Sequence, residues 1–356
     1  MPHIMTVLGP INAKTLGMTT MHDHVLANLT PFFISDMNNE QKAECPINVE
    51  KKMTIEDLCY LNELGLRSHC EDNWDLSNVK LMKTEVAFFK QQGGTSILET
   101  SAPGIRTNIL GMRDISHATG VNIIASTGLY VKASWPAEFN VMDEGEYKEY
   151  LLKEIEVGID DSDVKAGHIK AAIRTSSVKE LKFFKTTAEV SREKNLLVTA
   201  HISRGLQPAH RKRMLHLLLD SGINPEMLLL CHIHFTFWSD DFISHFIDPT
   251  KKSLQLEWAR EVMNLGVNIC IDCFGEQPGP WNSVRLAGLI MLLKEGYEDQ
   301  IVIGNDVYQK AMTRSYGGFG YCSMLDYVIP ELKNHGIDRA TIDKITVNNP
   351  IRMLQF

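Results

Sequence analysis

Eight short apolar runs, each followed by a polar loop and an amphipathic stretch, constrain this chain more than any other feature. They are MTTMH (18–22), TSILE (95–99), NIIAS (122–126), GHIKAAI (167–173), LLVTAH (196–201), MLLLCHIH (227–234), VNICID (267–272) and IVIGND (301–306). They are largely continuous rather than alternating, the pattern of strands buried on both faces of a parallel sheet. Between them, residues 79–94, 146–158, 178–195, 254–266 and 283–296 read as helices that stop at glycine or asparagine. The alternation predicts an α/β fold, a single (β/α)8 TIM barrel, with an open doubly wound sheet as the structural alternative. The glycine fingerprint of a dinucleotide-binding open sheet is missing from the first strand.

The 356 residues would fill two domains of common size. One barrel of this kind uses as many, and no Pro/Gly/Ser-rich linker divides the chain. The reading is therefore one domain over 1–356. About 70 residues separate the first run from the second, so 25–78 is expected to form a loop and helical insertion over the C-terminal face of the barrel.

Composition narrows the partners. The net charge of −8 argues against coating DNA or RNA, which needs a basic surface. The N-terminus lacks a basic segment followed by a long apolar core, and the longest apolar run, near 286–293, is too short to span a membrane. A cytoplasmic protein with a small-molecule substrate is expected, with no nucleic acid and no membrane; a homodimer stays open. The seven cysteines are scattered without a CxxC pair, so free thiols are expected rather than a closed structural zinc site.

In a barrel enzyme the chemistry sits at the C-terminal ends of the strands. The first run ends in His22-Asp23-His24, whose two imidazoles, two residues apart on a strand, would face one way and could grip one metal. Lys170 stands inside the apolar fourth run, where a lysine needs a partner. The fifth run ends in His201, the sixth in His232-Ile233-His234 and the eighth in Asp306. Any one of these is as well explained by packing. Together they would project into one mouth. Imidazole and carboxylate donors suit zinc, manganese or cobalt better than calcium or magnesium.

The same residues carry a resemblance. TTMHDHV, AGHIKAA, VTAHISRG, LLCHIHFT and IVIGND, with TVLGPINAKTLG (6–17), HATGVNIIASTGLYV (117–131), YGGFGYCSML (316–325) and ITVNNPIRML (345–354), resemble the phosphotriesterase family of the amidohydrolase superfamily. The resemblance runs from about Thr6 to Leu354. It implies a barrel with two divalent metal ions, zinc first, with manganese or cobalt as alternatives. His22, His24 and Asp306 would hold the more buried ion. His201 and His234 would hold the more exposed one, since the family's Cys-x-x-His spacing runs from Cys231 to His234. Lys170 would be N6-carboxylated and bridge the two. His232 has no ligand role in this pattern and is expected to face the helix layer or a neighbouring strand. Asp306 would also serve as the catalytic proton acceptor. Tyr130, Trp238 and Phe274 are the candidate substrate-binding residues.

The reaction implied is attack of a metal-bridging hydroxide on an ester-like bond. A lactone or other carboxylic ester ranks first, with phosphotriesters as promiscuous substrates. An N-acyl amide on the same site is the alternative. A one-metal isomerase or decarboxylase and a non-catalytic small-molecule binding protein are the competing classes.

Overall fold

The computed structural model describes residues 2–33, 38–63, 69–173, 177–202, 207–237, 254–276 and 281–356. An antiparallel hairpin comes first, β1 (His3–Thr6) with β2 (Gly9–Asn12), and Val7 N–H after β1 donates to Ile123 O at 2.9 Å. The parallel strands follow: β3 (Thr19–Asp23), β4 (Ser96–Glu99), β5 (Asn122–Ile124), β6 (Ser126–Gly128), β7 (His168–Ile173), β8 (Val198–Ile202), β9 (Leu228–Cys231), β10 (Asn268–Ile271) and β11 (Ile301–Ile303). The orders are β3-β4-β5 and β6-β7-β8-β9-β10-β11. β5 and β6 are two halves of one barrel strand, interrupted at Ala125; the first half pairs with β4 and the second with β7. The ring closes where Asp306 N–H, just past β11, donates to His22 O of β3 at 2.8 Å. The fold is a (β/α)8 barrel.

Alternation along each strand explains why the runs looked continuous. Ile97, Ile123, Ile169, Val198, Leu228, Leu230, Ile269, Ile271, Ile301 and Ile303 share the large core with the surrounding helices. Their neighbours Leu98, Ile124, Leu229, Cys231, Cys270 and Val302 form a second buried cluster with Met21, inside the barrel. Both faces are dry, so both are apolar. The same period of two puts Lys170 two residues beyond His168 and Asp272 two beyond Cys270, on the inner face.

The outer helices include Val79–Gln91, Ile109–Thr119, Glu144–Glu156, Val178–Lys194, Pro208–Asp220, Glu257–Asn264 and Trp281–Lys294. Their starts are chemically fixed. The Asn78 side chain accepts from Leu81 N–H, and Asp143 with Glu146 and Ser177 with Glu180 form reciprocal capping boxes. No helix among the described residues is long and apolar enough to cross a membrane.

Two glycines are required by close approach. A Cβ on Gly128, at φ +95°, would lie 2.1 Å from Lys170 O, and one on Gly304 would lie 2.8 Å from His22 Cβ. Both let neighbouring strands close tightly beside residues of the site.

Two strand ends differ from the sequence reading. β9 stops at Cys231 and β11 at Ile303, where the apolar pattern carried both further. His232, directly after β9, takes a left-handed backbone conformation, φ +62°, that ends the strand, and Asp306, three residues past β11, takes another, φ +51°.

Candidate metal centre

Asp272, one residue past β10, organises the centre, and the sequence reading gave it no role. Its Oδ2 accepts from His22 Nδ1 and its Oδ1 from His232 Nδ1, both at 2.8 Å, and His232 N–H adds a third bond at 3.1 Å. An ionised carboxylate only accepts, so both Nδ1 atoms carry the hydrogen and both Nε2 atoms keep a lone pair. Burial would raise the Asp272 carboxyl, but His232 and His22 hold it well below the usual range. Asp272 is wholly buried, so this charge stays between the two rings.

Around His22 Nε2 the donors converge. Lys170 Nζ lies at 3.3 Å and Asp306 Oδ1 at 3.6 Å, and His24 Nε2 is 3.4 Å from the same Asp306 oxygen. Donors at about 2.1 Å around a tetrahedral ion would be roughly 3.4 Å apart, so the spacing of His22, His24 and Asp306 fits a divalent cation. His24 is oriented by Ser101 Oγ, 2.9 Å from its Nδ1. Burial, then Lys170, lower the His22 pKa to about 4, and the ring is a neutral donor at neutral pH. Burial would raise the Asp306 carboxyl, but His22, His24 and His232 hold it far below its ordinary value.

His201 and His232 make a second group, their ring centroids 4.5 Å apart, with the His232 ring 4.7 Å from that of His22. Burial and then His232 push the His201 pKa well down. At His232 burial works against the cation, but Asp272 outweighs it and the pKa rises. Tyr130 Oη stands 3.5 Å from His201 Nε2.

Asp306 is locked by the turn around it. Asp23, whose carboxyl is pushed up to about 8 by burial, accepts from Val307 N–H at 2.8 Å and Asn305 Nδ2 at 3.2 Å. Asn305 in turn bonds Ser323 Oγ and Tyr321 O, and Tyr321 Oη donates to His24 O at 2.6 Å. The segment YGGFGYCSML thus anchors the rim from beneath. Cys273 Sγ donates to Asp306 Oδ2 at 3.1 Å.

The centre opens on one cavity of about 250 Å³, lined by His22, His24, Lys170, His201, His232 and Asp306 with Leu29, Trp74, Tyr130, Val131, Phe235, Cys273, Glu276 and Tyr308. Leu29 and Trp74 come from the long stretch between β3 and β4. Of the six non-glycine residues with positive φ among those described, three, His232, Cys273 and Asp306, sit on this rim. Such conformations cost on the order of 1 kcal/mol each and collect at functional sites.

Three of the expected residues take other places than the sequence suggests. His234, expected as a ligand, is absent from the cavity wall, with its ring 6.2 Å from His232 and neither nitrogen hydrogen-bonded. The left-handed turn at His232 breaks the two-residue alternation, and His234 Nδ1 lies 3.3 Å from Asp272 Oδ1, on the far side of the ring that faces the cavity. His232, expected to face the helix layer or to hydrogen-bond a neighbouring strand, bonds Asp272 at the end of β10 and also lines the cavity. Phe274, expected to touch substrate, is wholly buried in the large core, with its carbonyl bonded to Ser323. Tyr130 is on the wall; Trp238 lies outside the described residues.

Imidazoles and carboxylates gathered at the mouth of a parallel barrel define the metal-site class of (β/α)8 proteins. The chain belongs to the phosphotriesterase family, whose model matches residues 2–354. Members of that family are binuclear metal hydrolases. Among similar sequences, an N-acetyltaurine hydrolase of Xenopus tropicalis is 28% identical and the alignment covers 99% of this chain and 98% of that one. Its counterpart in Dictyostelium discoideum is 29% identical, with 99% and 97% covered. Among solved structures, a resiniferatoxin-binding protein from Rhodobacter sphaeroides superimposes with a TM-score of 0.84 at 25% identity, covering 99% of this chain and 94% of that one. A lactonase from Listeria monocytogenes gives 0.75 at 20% identity, with 99% and 98% covered.

Proposed function

We propose that this protein is a two-metal hydrolase that cleaves an acyl bond, the amide of a small N-acyl amine first and a lactone or other carboxylic ester second. The observation that carries the reading is the shared Asp272 carboxylate. It fixes the tautomer of two rings, so that unprotonated nitrogens line a cavity that also holds His24, His201, Lys170 and Asp306. In this reading His22, His24 and Asp306 hold the more buried ion, and His201 and His232 the more exposed one. Lys170 would bridge them as a carbamate: its ammonium loses one proton to become the amine, and the amine nitrogen bonds the carbon of CO2 and loses a second, which turns a buried cation into an anionic ligand.

Two divalent ions bound there, zinc first with manganese or cobalt as substitutes, would supply an acidified water and a polarised carbonyl. Asp306 takes the proton of the attacking water and passes it to the leaving nitrogen, which departs poorly unless protonated. Asp272 keeps the imidazoles from turning. Tyr130, Val131 and Phe235 form an apolar wall for the acyl part. The amide precedes the ester, reversing the order read from the sequence. The similar N-acetyltaurine hydrolases are 26–29% identical, against 20% for the lactonase structure.

Chelator-stripped protein reloaded with zinc, manganese or cobalt tests the reading. Two ions per chain and cleavage of an N-acyl amine are expected from a panel that includes lactones, esters and organophosphates. One ion per chain, or a loaded protein inert to the whole panel, overturns it. An inert protein that still binds small molecules would instead agree with the likeness to the resiniferatoxin-binding protein.

A further inference from the structure

One charged group on the cavity wall has no part in holding metal. Glu276, five residues past the end of β10, lines the cavity with a side chain 20% exposed. Both of its oxygens are anchored from behind. Tyr308 Oη donates to Oε1 at 2.9 Å, and Arg285 Nη2 donates to Oε2. Arg285 is itself buried in the helix Trp281–Lys294 and is steadied by Asn282 Oδ1 at 3.1 Å; the same oxygen accepts from Gly275 N–H. A carboxylate has about four lone-pair positions. These two donors leave acceptor capacity on an oxygen pair that is held in place before any ligand arrives. The wall next to it is aromatic, Trp74 and Tyr308 with ring centroids 5.7 Å apart.

We infer that Glu276 is the specificity-determining residue of this cavity, accepting a hydrogen bond from an O–H or N–H on the part of the substrate remote from the scissile bond. The inference rests on the hydrolytic reading above and names its substrate class: small N-acyl amines whose amine part ends in a hydroxyl or ammonium donor. A fixed acceptor favours such a donor and disfavours an anion at the same place. An ammonium would gain further from the aromatic faces of Trp74 and Tyr308. The Arg285 guanidinium spends Nη2 on Glu276 and Nη1 on Asn282 and does not line the cavity, so it supports the acceptor from behind.

The test uses four acetamides of matched length: N-acetylethanolamine, N-acetylethylenediamine, N-propylacetamide and N-acetyltaurine. Binding is measured by calorimetry to metal-loaded protein in the slow Asp306→Asn background, and turnover is measured on wild type. The hydroxyl and ammonium probes are expected to bind about 10- to 100-fold more tightly than N-propylacetamide, the usual worth of a hydrogen bond to a charged acceptor. In Glu276→Gln the amide oxygen turns to Arg285 and the NH2 toward the cavity, so that ratio collapses at least tenfold and N-acetyltaurine gains. Tyr308→Phe keeps the carboxylate and should keep the preference, which decides the matter if the Gln variant does not fold. Equal affinity for donor and apolar probes, a preference that survives Glu276→Gln, or one lost in Tyr308→Phe overturns the inference. An intact preference with no turnover of any amide, ester or lactone leaves it standing and removes the hydrolytic reading instead.

Discussion

Asp272→Asn is the most informative single change, because one carboxylate sets two tautomers. In the native protein its two oxygens take three hydrogen bonds, from His22 Nδ1, His232 Nδ1 and His232 N–H. Asparagine is nearly isosteric but has one oxygen, and its NH2 must face one of the two rings. That imidazole either loses its partner or moves its hydrogen to Nε2, where it blocks a metal. The native bond is charge-assisted, worth about 1.5–3 kcal/mol. At 1.4 kcal/mol per tenfold this gives roughly a 10- to 100-fold loss of affinity for the ion held by that ring, the usual range for a residue that orients a metal ligand. Titration of stripped protein against a chromophoric chelator reads both ions separately. One ion should weaken by this factor while the other moves little. Asp272→Asn protein that binds both ions as tightly as wild type would refute the claim that tautomer control holds the centre together.

The remaining expectations concern the same cavity. His232→Ala should lose one ion, whereas His234→Ala should keep both; metal content after dialysis decides, and the reverse result would restore the spacing argument from the sequence. Asp306→Asn should retain metal through the remaining ligands yet slow turnover by about 10²–10⁴-fold, less for substrates with good leaving groups; near-normal kcat with both ions bound would make Asp306 a ligand only. In metal-free protein, buried His22 protonates near pH 4 and His168 near pH 3, by burial, while the unfolded histidines do so near 6.5. The unfolded chain therefore binds more protons between those values, and stability falls as pH drops through that window. Asp23, protonated below about 8 when folded, has the opposite sign, but it is outnumbered once His201 is added. The urea midpoint should be lower at pH 5 than at pH 7, and a flat or rising midpoint would contradict the assignment.

The barrel was legible because its strands are dry on both sides, a property that composition along the chain reports directly. Seven of the eight runs coincide with single strands. The third is split at Ala125, which periodicity does not signal. His22, His24, His201 and Asp306 were legible because a polar residue at the end of an apolar run has one place to go, and Lys170 because a lysine inside such a run needs a partner. Asp272 obeys the same rule in VNICID and could have been found by it. His232 went unread for a different reason. The family's Cys-x-x-His spacing points to His234, and neither spacing nor hydrophobicity marks the left-handed residue that ends β9 and brings His232 onto the cavity wall. Phe274 follows another left-handed residue, Cys273, and that turn takes its ring into the core.

Those left-handed positions set stability and activity against each other. At His232, Cys273 and Asp306 a glycine would relax the backbone, since it adopts φ near +60° freely. Any gain in robustness there removes a side chain that the site uses. The rim is thus a place where selection for a hardier fold and selection for chemistry pull opposite ways. Variants enriched purely for thermal survival should accumulate glycine or asparagine at these positions and lose metal as they do so. The barrel body, whose strands and helices are already locally relaxed, would offer stabilising changes without that penalty.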